Sequence, residues 1–541
     1  MRALLVYPRY PTTFWSFDEA LALVGQRALL PPLGLITVAA LLPDHWELRL
    51  VDTNVRDLTE HDWQWADIVI VSAMLVQKRD VARCIKEAKA HSLPVAVGGP
   101  FASSTPDAPE LSQADYLILD EGEITIPAFV AALERGECNG RFSAAGEKPD
   151  VTLSPVPRFD LLDRAAYNVM AVQFSRGCPF QCEFCDIIVL YGRRPRTKEP
   201  AQLLRELDAL HSLGWRGDVF LVDDNFIGNK RNVKRLLPEL LAWQLERGFP
   251  FAFTTEASVD LAAEPDLMTA MAQCRFQRVF LGIETPDAGS LAGAGKHQNT
   301  RHPLVEAVDA ITAQGLQVMA GFILGFDGEA PGAGRRIVDF VTTTGIPLAM
   351  VGVLQALPNT ALWHRLAAEG RLLDDQGGFT DGVQTHLLNF RPSRPMTQIA
   401  AEFLDCFDEL YEPSAYLRRA FAYCQKLGLP RWPRLGGQQD NSRNWRPLLA
   451  LIWRQGLRRP TRWLFWKQLV LLAWRRPLLL DSYLWMLLIE EHLLRYRQQV
   501  HRDVEAQLAS PLLQPPALSG APAAPPRWVR AADATGALPQ R

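Results

Sequence analysis

Arg176-Gly177-Cys178-Pro179-Phe180-Gln181-Cys182-Glu183-Phe184-Cys185 sets three cysteines at the spacing C-x3-C-x2-C, directly after the strand-like run Val172-Gln173-Phe174. Three thiolates on one short loop can grip three irons of a [4Fe–4S] cluster, whose full protein ligation would take four. The remaining iron is then open to a small molecule, as catalytic metal sites keep one position free. A zinc knuckle would want a fourth Cys or His at comparable spacing, and none lies within ten residues on either side. Cys178, Cys182 and Cys185 are therefore the candidate catalytic cluster ligands.

On the carboxyl side of this loop a strand–helix rhythm repeats. Strand-like runs fall at Ala171–Ser175, Val219–Val222, Phe251–Thr255, Val279–Ile283, Gln317–Leu324 and Met350–Leu354, with helical patterns at Ala201–Leu213, Arg231–Glu246 and Pro303–Gln314 between them. Six such units form a parallel α/β repeat, and in barrels built this way the site lies at the carboxyl ends of the strands. The cysteine loop follows the first strand, Asp223-Asp224-Asn225 ends the second, Glu256-Ala257-Ser258 the third and Gly282-Ile283-Glu284 the fourth. The acids also read as solvated strand-end residues.

On the amino side, short apolar strands at Leu4–Tyr7, Leu48–Val51, Ile68–Val71, Val95–Val97 and Tyr116–Leu119 alternate with helical segments such as Leu33–Leu42 and Lys78–Ala90. That pattern predicts a doubly wound parallel sheet covered on both faces. Its ligand belongs beyond the carboxyl ends of the strands, where strand order reverses. No G-x-G-x-x-G follows the first strand, which argues against a dinucleotide. Asp52 and Asn54 after the second strand either cap the next turn or meet a ligand.

Together these features resemble the cobalamin (B12)-dependent radical S-adenosylmethionine (SAM) methyltransferases, over roughly residues 1–370. The cysteine loop, with aromatic Phe184 before the third cysteine, matches the radical SAM signature; Tyr7-Pro8 and Pro31-Pro32-Leu33-Gly34-Leu35 fit the cobalamin-binding class. The fold implied is α/β: a Rossmann-like doubly wound cobalamin-binding domain (1–140), a linker (141–170), a partial (β/α)6 TIM-type radical SAM barrel (171–375), a helical carboxyl-terminal domain (376–505) and a disordered tail (506–541). The resemblance implies SAM contacts at Phe184, Asp223, Asp224, Asn225, Glu256, Ser258 and Glu284. It implies cobalamin contacts at Asp52, Asn54, Ser72, Gly98, Gly99, Glu121, Gly122 and Glu123. Many such domains carry D-x-H-x-x-G, with the histidine on cobalt. Here Asp52-Thr53-Asn54-Val55-Arg56-Asp57 puts Asn54 at the histidine position, so the cobalamin is expected base-off with no histidine ligand.

The mechanism implied is reductive cleavage of SAM to a 5′-deoxyadenosyl radical that removes a substrate hydrogen. Methylcobalamin then supplies the methyl group and a second SAM is spent as S-adenosylhomocysteine. The activity expected is methylation of an unactivated carbon, fed by an external one-electron reductant of flavodoxin or ferredoxin type. A cobalamin-dependent oxidative cyclase or rearrangement enzyme shares the same core. A non-catalytic cobalamin/iron–sulfur sensor or electron carrier is the rival from another class, and a cluster with an open iron is a liability in a carrier.

Composition narrows the partners. With 57 Lys+Arg against 60 Asp+Glu the net charge is -3, which gives no chain-wide pull toward nucleic acid. Eight cysteines in 541 residues are too few for a disulfide scaffold and fit a reducing, cytoplasmic compartment. Pro8 cuts off the first apolar run before signal-peptide length, and no uncharged run reaches the roughly 18 residues a spanning helix needs.

After about residue 375 helical patterns take over, including Thr397–Leu410 and Ser414–Leu427. Cys406 and Cys424 there read as buried apolar residues. Residues 441–480 hold nine basic residues, no acidic one and five tryptophans. Such a stretch suits either peripheral contact with the inner membrane face or packing on the barrel with snorkelling arginines. The first alternative points to a small hydrophobic or lipid substrate.

Overall fold

The computed structural model describes residues 1–373, 383–432 and 445–509. The expected disordered tail therefore falls, from residue 510 on, outside the described residues. Six strands form the first sheet: β1 (Arg2–Tyr7), β2 (Glu47–Asp52), β3 (Ile68–Ser72), β4 (Val95–Gly98), β5 (Tyr116–Ile118) and β6 (Gly140–Phe142). All neighbours are parallel, in the order β2-β1-β3-β4-β5-β6. Strand order reverses between β1 and β3, so the ligand crevice lies at their carboxyl ends. The central strands are buried nearly end to end, as helices on both faces require. β6 is short and half-exposed, too weak an apolar run to stand out in the sequence, and it carries the sheet past the expected boundary at 140.

The second sheet begins with β7 (Val169–Val172), two residues before the expected barrel start. A two-stranded antiparallel stem follows, β8 (Ser175–Arg176) with β9 (Arg196–Thr197), and it closes the cysteine loop. Then come β10 (Gly217–Leu221), β11 (Phe251–Ala257), β12 (Phe276–Glu284), β13 (Gln317–Leu324) and β14 (Leu348–Val353). The order β14-β13-β12-β11-β10-β7 follows the chain, all parallel, with β7 and β14 at opposite edges. This is the expected six-unit partial barrel.

An open barrel leaves apolar surface to cover, and two parts of the chain supply the cover. Phe14, Phe17, Leu21 and Ala28, from the excursion between β1 and β2, join the barrel's core rather than the first sheet's. So does the long helix Leu480–Leu508, through Tyr483, Met486, Leu493 and Tyr496. Phe14 lies 5.9 Å from the Tyr496 ring, and His492 Nε2 lies 3.1 Å from the Thr13 carbonyl. The helices Met396–Leu410 and Pro413–Lys426 match the two expected there, with Cys406 and Cys424 fully buried.

Two buried tyrosines strap this region to the amino ends of the last strands. The Tyr423 hydroxyl accepts from Val318 N at 2.6 Å, and the Tyr411 hydroxyl donates to the Ala349 carbonyl at 2.6 Å. Removing either hydroxyl strands a buried backbone group, which costs about 1–3 kcal/mol. Tyr423→Phe and Tyr411→Phe are each expected to lower the thermal unfolding midpoint while leaving far-ultraviolet circular dichroism unchanged; an unaltered midpoint would remove the strap.

Candidate active site

The cysteine loop is held by carboxylates from the neighbouring strand. Asp223, just past β10, accepts from Phe174 N at 2.7 Å and from the Ser175 hydroxyl at 2.7 Å. Asp224 accepts from Gly177 N at 2.7 Å. Gly177 sits at φ +91, and a Cβ there would lie 2.8 Å from the Gly192 carbonyl, so the turn before Cys178 admits no side chain. Two amides point at the sulfurs: Asn225 Nδ2 lies 4.0 Å from Cys178 Sγ, and Gln298 Nε2 lies 3.6 Å from Cys182 Sγ. Burial pushes the Cys178 and Cys185 thiols up, so a thiolate here needs bound positive charge to offset its desolvation. Among the described residues no three His, Cys, Asp or Glu side chains converge on a single-ion site. Thiolates that each bind a different iron have no need to converge in that way.

Around this loop the mouth of the barrel is acidic. Burial pushes Asp223 to about 7, Asp224 to about 6 and Glu256 to about 8, and for Glu256 the charges of Asp224 and Asp223 add to the rise. Glu256 has no hydrogen bond or ion pair among the described residues. Asn225 and Ser258 hold each other, with Asn225 Nδ2 3.1 Å from Ser258 Oγ and Ser258 N 3.2 Å from Asn225 Oδ1. Glu284, at φ +65, is ion-paired with buried Lys296. Lys296 also lies 5.9 Å from the Phe184 ring; burial opposes its charge, and Glu284 together with the nearby Cys182 and Cys185 sulfurs pushes its ammonium up. Lys296 and Gln298 carry no motif of their own in the sequence; only the fold brings their loop onto the cysteines, where Glu183 N donates to the Ala294 carbonyl at 3.0 Å.

Deeper in, the inner face turns apolar. In β10, β11, β12 and β14 side chains that keep some exposure interleave with buried ones, and they include Phe220, Phe280 and Met350, while β13 is buried almost throughout. Trp15 enters from the excursion after β1, its ring 5.3 Å from Phe280 and its Nε1 3.0 Å from Met350 Sδ. At the amino end of the strands Arg278 pairs with Asp218 at 2.9 Å and lies over the Trp485 ring at 4.2 Å, which closes the floor.

The residues expected at cobalamin are engaged with other parts of the chain. Glu121 and Glu123 are buried in ion pairs with the stem of the cysteine loop: Arg176 to Glu121 at 2.8 Å, Arg176 to Glu123 at 2.8 Å and Arg196 to Glu121 at 2.7 Å. Burial opposes ionisation of Glu123, but Arg176 beside it pulls the carboxyl down to about 2. Gly122 packs against Ile126, Leu41 and Val38 as the first residue of the helix Gly122–Glu134. Asn54 is used up within its own loops, donating to Pro8 O and Asp52 Oδ1 and accepting from Tyr10 N. Asp52 also accepts from the Tyr167 hydroxyl at 3.0 Å, the structural role its position allowed. A Cβ on Gly99 would meet Ser72 Oγ and the Ala73 carbonyl at 2.8 Å, and one on Gly98 the Ile118 carbonyl at 3.0 Å, so both glycines serve close packing of the chain itself. Beyond the same strand ends Tyr10 and half-exposed Met74 lie 3.1 Å apart.

In the carboxyl-terminal region, Arg454 and Arg459 turn inward to Glu491 at 3.2 and 2.7 Å, and Arg476 donates to the Cys424 carbonyl at 2.6 Å. These three do not belong to an exposed basic face. Arg443 and the Trp445 side chain lie outside the described residues.

Residues 172–341 match the Radical SAM superfamily, and residues 360–506 match a domain of unknown function, DUF4070. A Synechocystis protein described as an uncharacterized methyltransferase is 57% identical over 508 residues, 94% of this chain and 94% of that one. The hopanoid C-2 methylase of Rhodopseudomonas palustris is 36% identical over 93% of this chain and 94% of its own. Among solved structures, the cobalamin-dependent SAM radical enzyme OxsB, with aqua-cobalamin and SAM bound, superposes with TM-score 0.58 at 16% identity, covering 94% of this chain and 80% of that one.

The acidic mouth has a pH consequence. A carboxyl whose folded pKa is raised binds its proton more tightly in the native state, so its contribution to stability is present at low pH and lost as pH rises. For Glu256 that window runs from the ordinary carboxyl range up to about 8. Glu256→Gln is expected to flatten the fall in thermal midpoint across that window in ligand-free protein and to raise the midpoint at its alkaline end; an unchanged slope would contradict a part-buried, unpaired carboxyl.

Proposed function

The chain belongs to the radical SAM superfamily, in the family that holds the Synechocystis methyltransferase and the Rhodopseudomonas hopanoid C-2 methylase, and from that premise we propose that it methylates an unactivated carbon of a polycyclic, hopanoid-type lipid. The observation that carries this reading is the three-cysteine loop set at strand ends where Asp223, Asp224 and Glu256 gather, above an inner barrel face that carries Trp15, Phe280 and Met350.

The residues fit the groups this chemistry needs. Cys178, Cys182 and Cys185 would hold a [4Fe–4S] cluster, with the Asn225 and Gln298 amides supporting two of the sulfurs. SAM carries an ammonium and a sulfonium, and the carboxyls of buried Asp223 and part-buried Asp224 and Glu256 suit such a cation. Phe184, Asn225, Ser258 and Glu284 complete its proposed surroundings, Glu284 sharing its carboxylate with Lys296. Cobalamin is proposed beyond the carboxyl ends of β1 and β3, near Ser72, Gly98 and Gly99, base-off because the position of the histidine ligand holds Asn54, whose amide is already engaged. When bound, these groups supply hydrogen abstraction and a transferable methyl. The protein's own part is to orient them: Asp223 and Asp224 fix the cysteine loop, while Trp15, Phe280 and Met350 keep water from the reacting carbon. An external flavodoxin- or ferredoxin-type reductant supplies the electron. The enzyme is placed in the cytoplasm, peripheral to the inner membrane face.

The test is anaerobic turnover with reconstituted cluster, cobalamin, SAM, reductant and a hopanoid-containing lipid extract. Wild type is expected to form 5′-deoxyadenosine and S-adenosylhomocysteine in comparable amounts, with a lipid heavier by one methylene; Cys178→Ala should form neither nucleoside product. Deoxyadenosine and altered lipid without S-adenosylhomocysteine would replace methyl transfer by cyclase-type chemistry.

A further inference from the structure

Among the described residues, thirteen large apolar side chains are exposed, and seven of them lie between 449 and 478. Every exposed tryptophan is in that stretch: Trp453 at 52%, Trp463 at 74% and Trp474 at 75%. They sit on two adjoining helical segments, the wide-turned Ile452–Arg458 and the helix Arg462–Arg475, joined where Trp466 Nε1 donates to the Gly456 carbonyl at 2.9 Å.

The helix Arg462–Arg475 is apolar on both sides. Its inner side, Phe465, Gln468 and Leu472, is buried against the protein, with Gln468 taking the Tyr483 hydroxyl at 2.9 Å. The opposite side carries Trp463, Lys467, Val470 and Trp474 at spacings of four, three and four, a single exposed stripe. A surface helix of a soluble protein shows charged and polar residues on that side. Here the only charge within the stripe is a lysine.

The cations at the rim are arranged around the tryptophans. Arg458 lies over the Trp453 ring at 4.8 Å, Arg462 over Trp463 at 5.8 Å and Arg475 over Trp474 at 5.7 Å. All three arginines and Lys467 are exposed, and residues 441–480 contain no acidic residue. Apolar rings edged by cations and free of anions match the boundary between acyl chains and anionic headgroups. No helix among the described residues is long and apolar enough to cross a membrane, so this surface would lie on a bilayer rather than span it.

We propose that the exposed face of residues 449–478 is a docking surface for an anionic lipid bilayer, entered by Trp453, Trp463, Val470 and Trp474 and ringed by Arg458, Arg462, Lys467 and Arg475. It deepens the reading of a lipid-methylating enzyme and rests on it for its purpose, since a polycyclic lipid must be collected from a membrane. The surface itself is carried by exposure and charge alone.

The experiment is co-sedimentation of the full chain with vesicles of phosphatidylcholine alone or mixed with phosphatidylglycerol, with tryptophan emission read in parallel. Wild type should bind the mixed vesicles, with a blue shift and with affinity that falls as salt rises, and bind the neutral ones far less. Trp463→Gln with Trp474→Gln should weaken binding on the order of tenfold or more for each ring. Lys467→Glu should weaken it roughly fivefold or more. Equal binding by wild type and the double tryptophan variant would overturn the proposal. So would a wild-type dimer that the variant converts to a monomer without any vesicle binding, which would give this face to a second copy of the chain. Nucleoside products measured with detergent-dispersed lipid separate the two readings: a chain that docks but transfers no methyl refutes the function and leaves the surface. One that methylates dispersed lipid yet ignores vesicles refutes the surface alone.

Discussion

Two guanidinium groups and two carboxylates, all removed from water, join the first sheet to the stem of the cysteine loop. Arg176 forks between Glu121 and Glu123, and Arg196 takes the other oxygen of Glu121. Desolvating four charges is costly, and the attraction among them offsets that cost only when the geometry is close and the hydrogen bonds are complete. Such a network is weak as a source of stability and strong as a constraint, because every slipped register leaves a charge buried without its partner. The residue after Arg176 is Gly177, and the next is Cys178. The side chains that fix one end of the cysteine loop therefore also fix the distance from the loop to the carboxyl edge of the first sheet.

The second constraint runs along the barrel. Its inner face passes from a rim of three carboxyls, Asp223 buried and Asp224 and Glu256 partly so, through Trp15, Phe280 and Met350, to Arg278, Asp218 and Trp485 at the amino ends of the strands. Carboxyls held up by burial await a cation, and an apolar interior below them suits a carbon that must be kept from water. Because the barrel is open between β7 and β14, that interior depends on cover from elsewhere in the chain. The excursion bearing Phe14 and Trp15 and the helix Leu480–Leu508 supply it, which makes the first and last parts of the described chain components of one hydrophobic core.

Much of this was legible in the sequence. The alternation of strand-like and helical runs, five strands on the amino side and six on the carboxyl side, made both sheets legible except for β6, since parallel strands buried on two faces are continuous apolar runs. The loop acids were found because they sit where barrel strands end. What was hidden arose from contacts between segments far apart in the chain. That Glu121 and Glu123 pair with Arg176 and Arg196 shows only once the fold brings the two segments together. Lys296 and Gln298 lie more than a hundred residues from the cysteines they approach. Trp15 looks like part of the first domain and works in the second. The basic count over 441–480 overstated the exposed charge, because Arg454, Arg459 and Arg476 find their partners inside the protein.

The central claim is that the buried network holds the two halves of the site in one register, so that radical formation and methyl delivery meet at the same carbon. Glu121→Gln tests it most directly, because the change keeps the shape of the side chain and leaves all three cysteines in place. The measurement is the ratio of S-adenosylhomocysteine to 5′-deoxyadenosine at equal iron loading. The account predicts that deoxyadenosine continues to form while the ratio falls roughly tenfold or more, as a misplacement of about an ångström would cause. A ratio equal to that of wild type, with deoxyadenosine formed at the same rate, would contradict it.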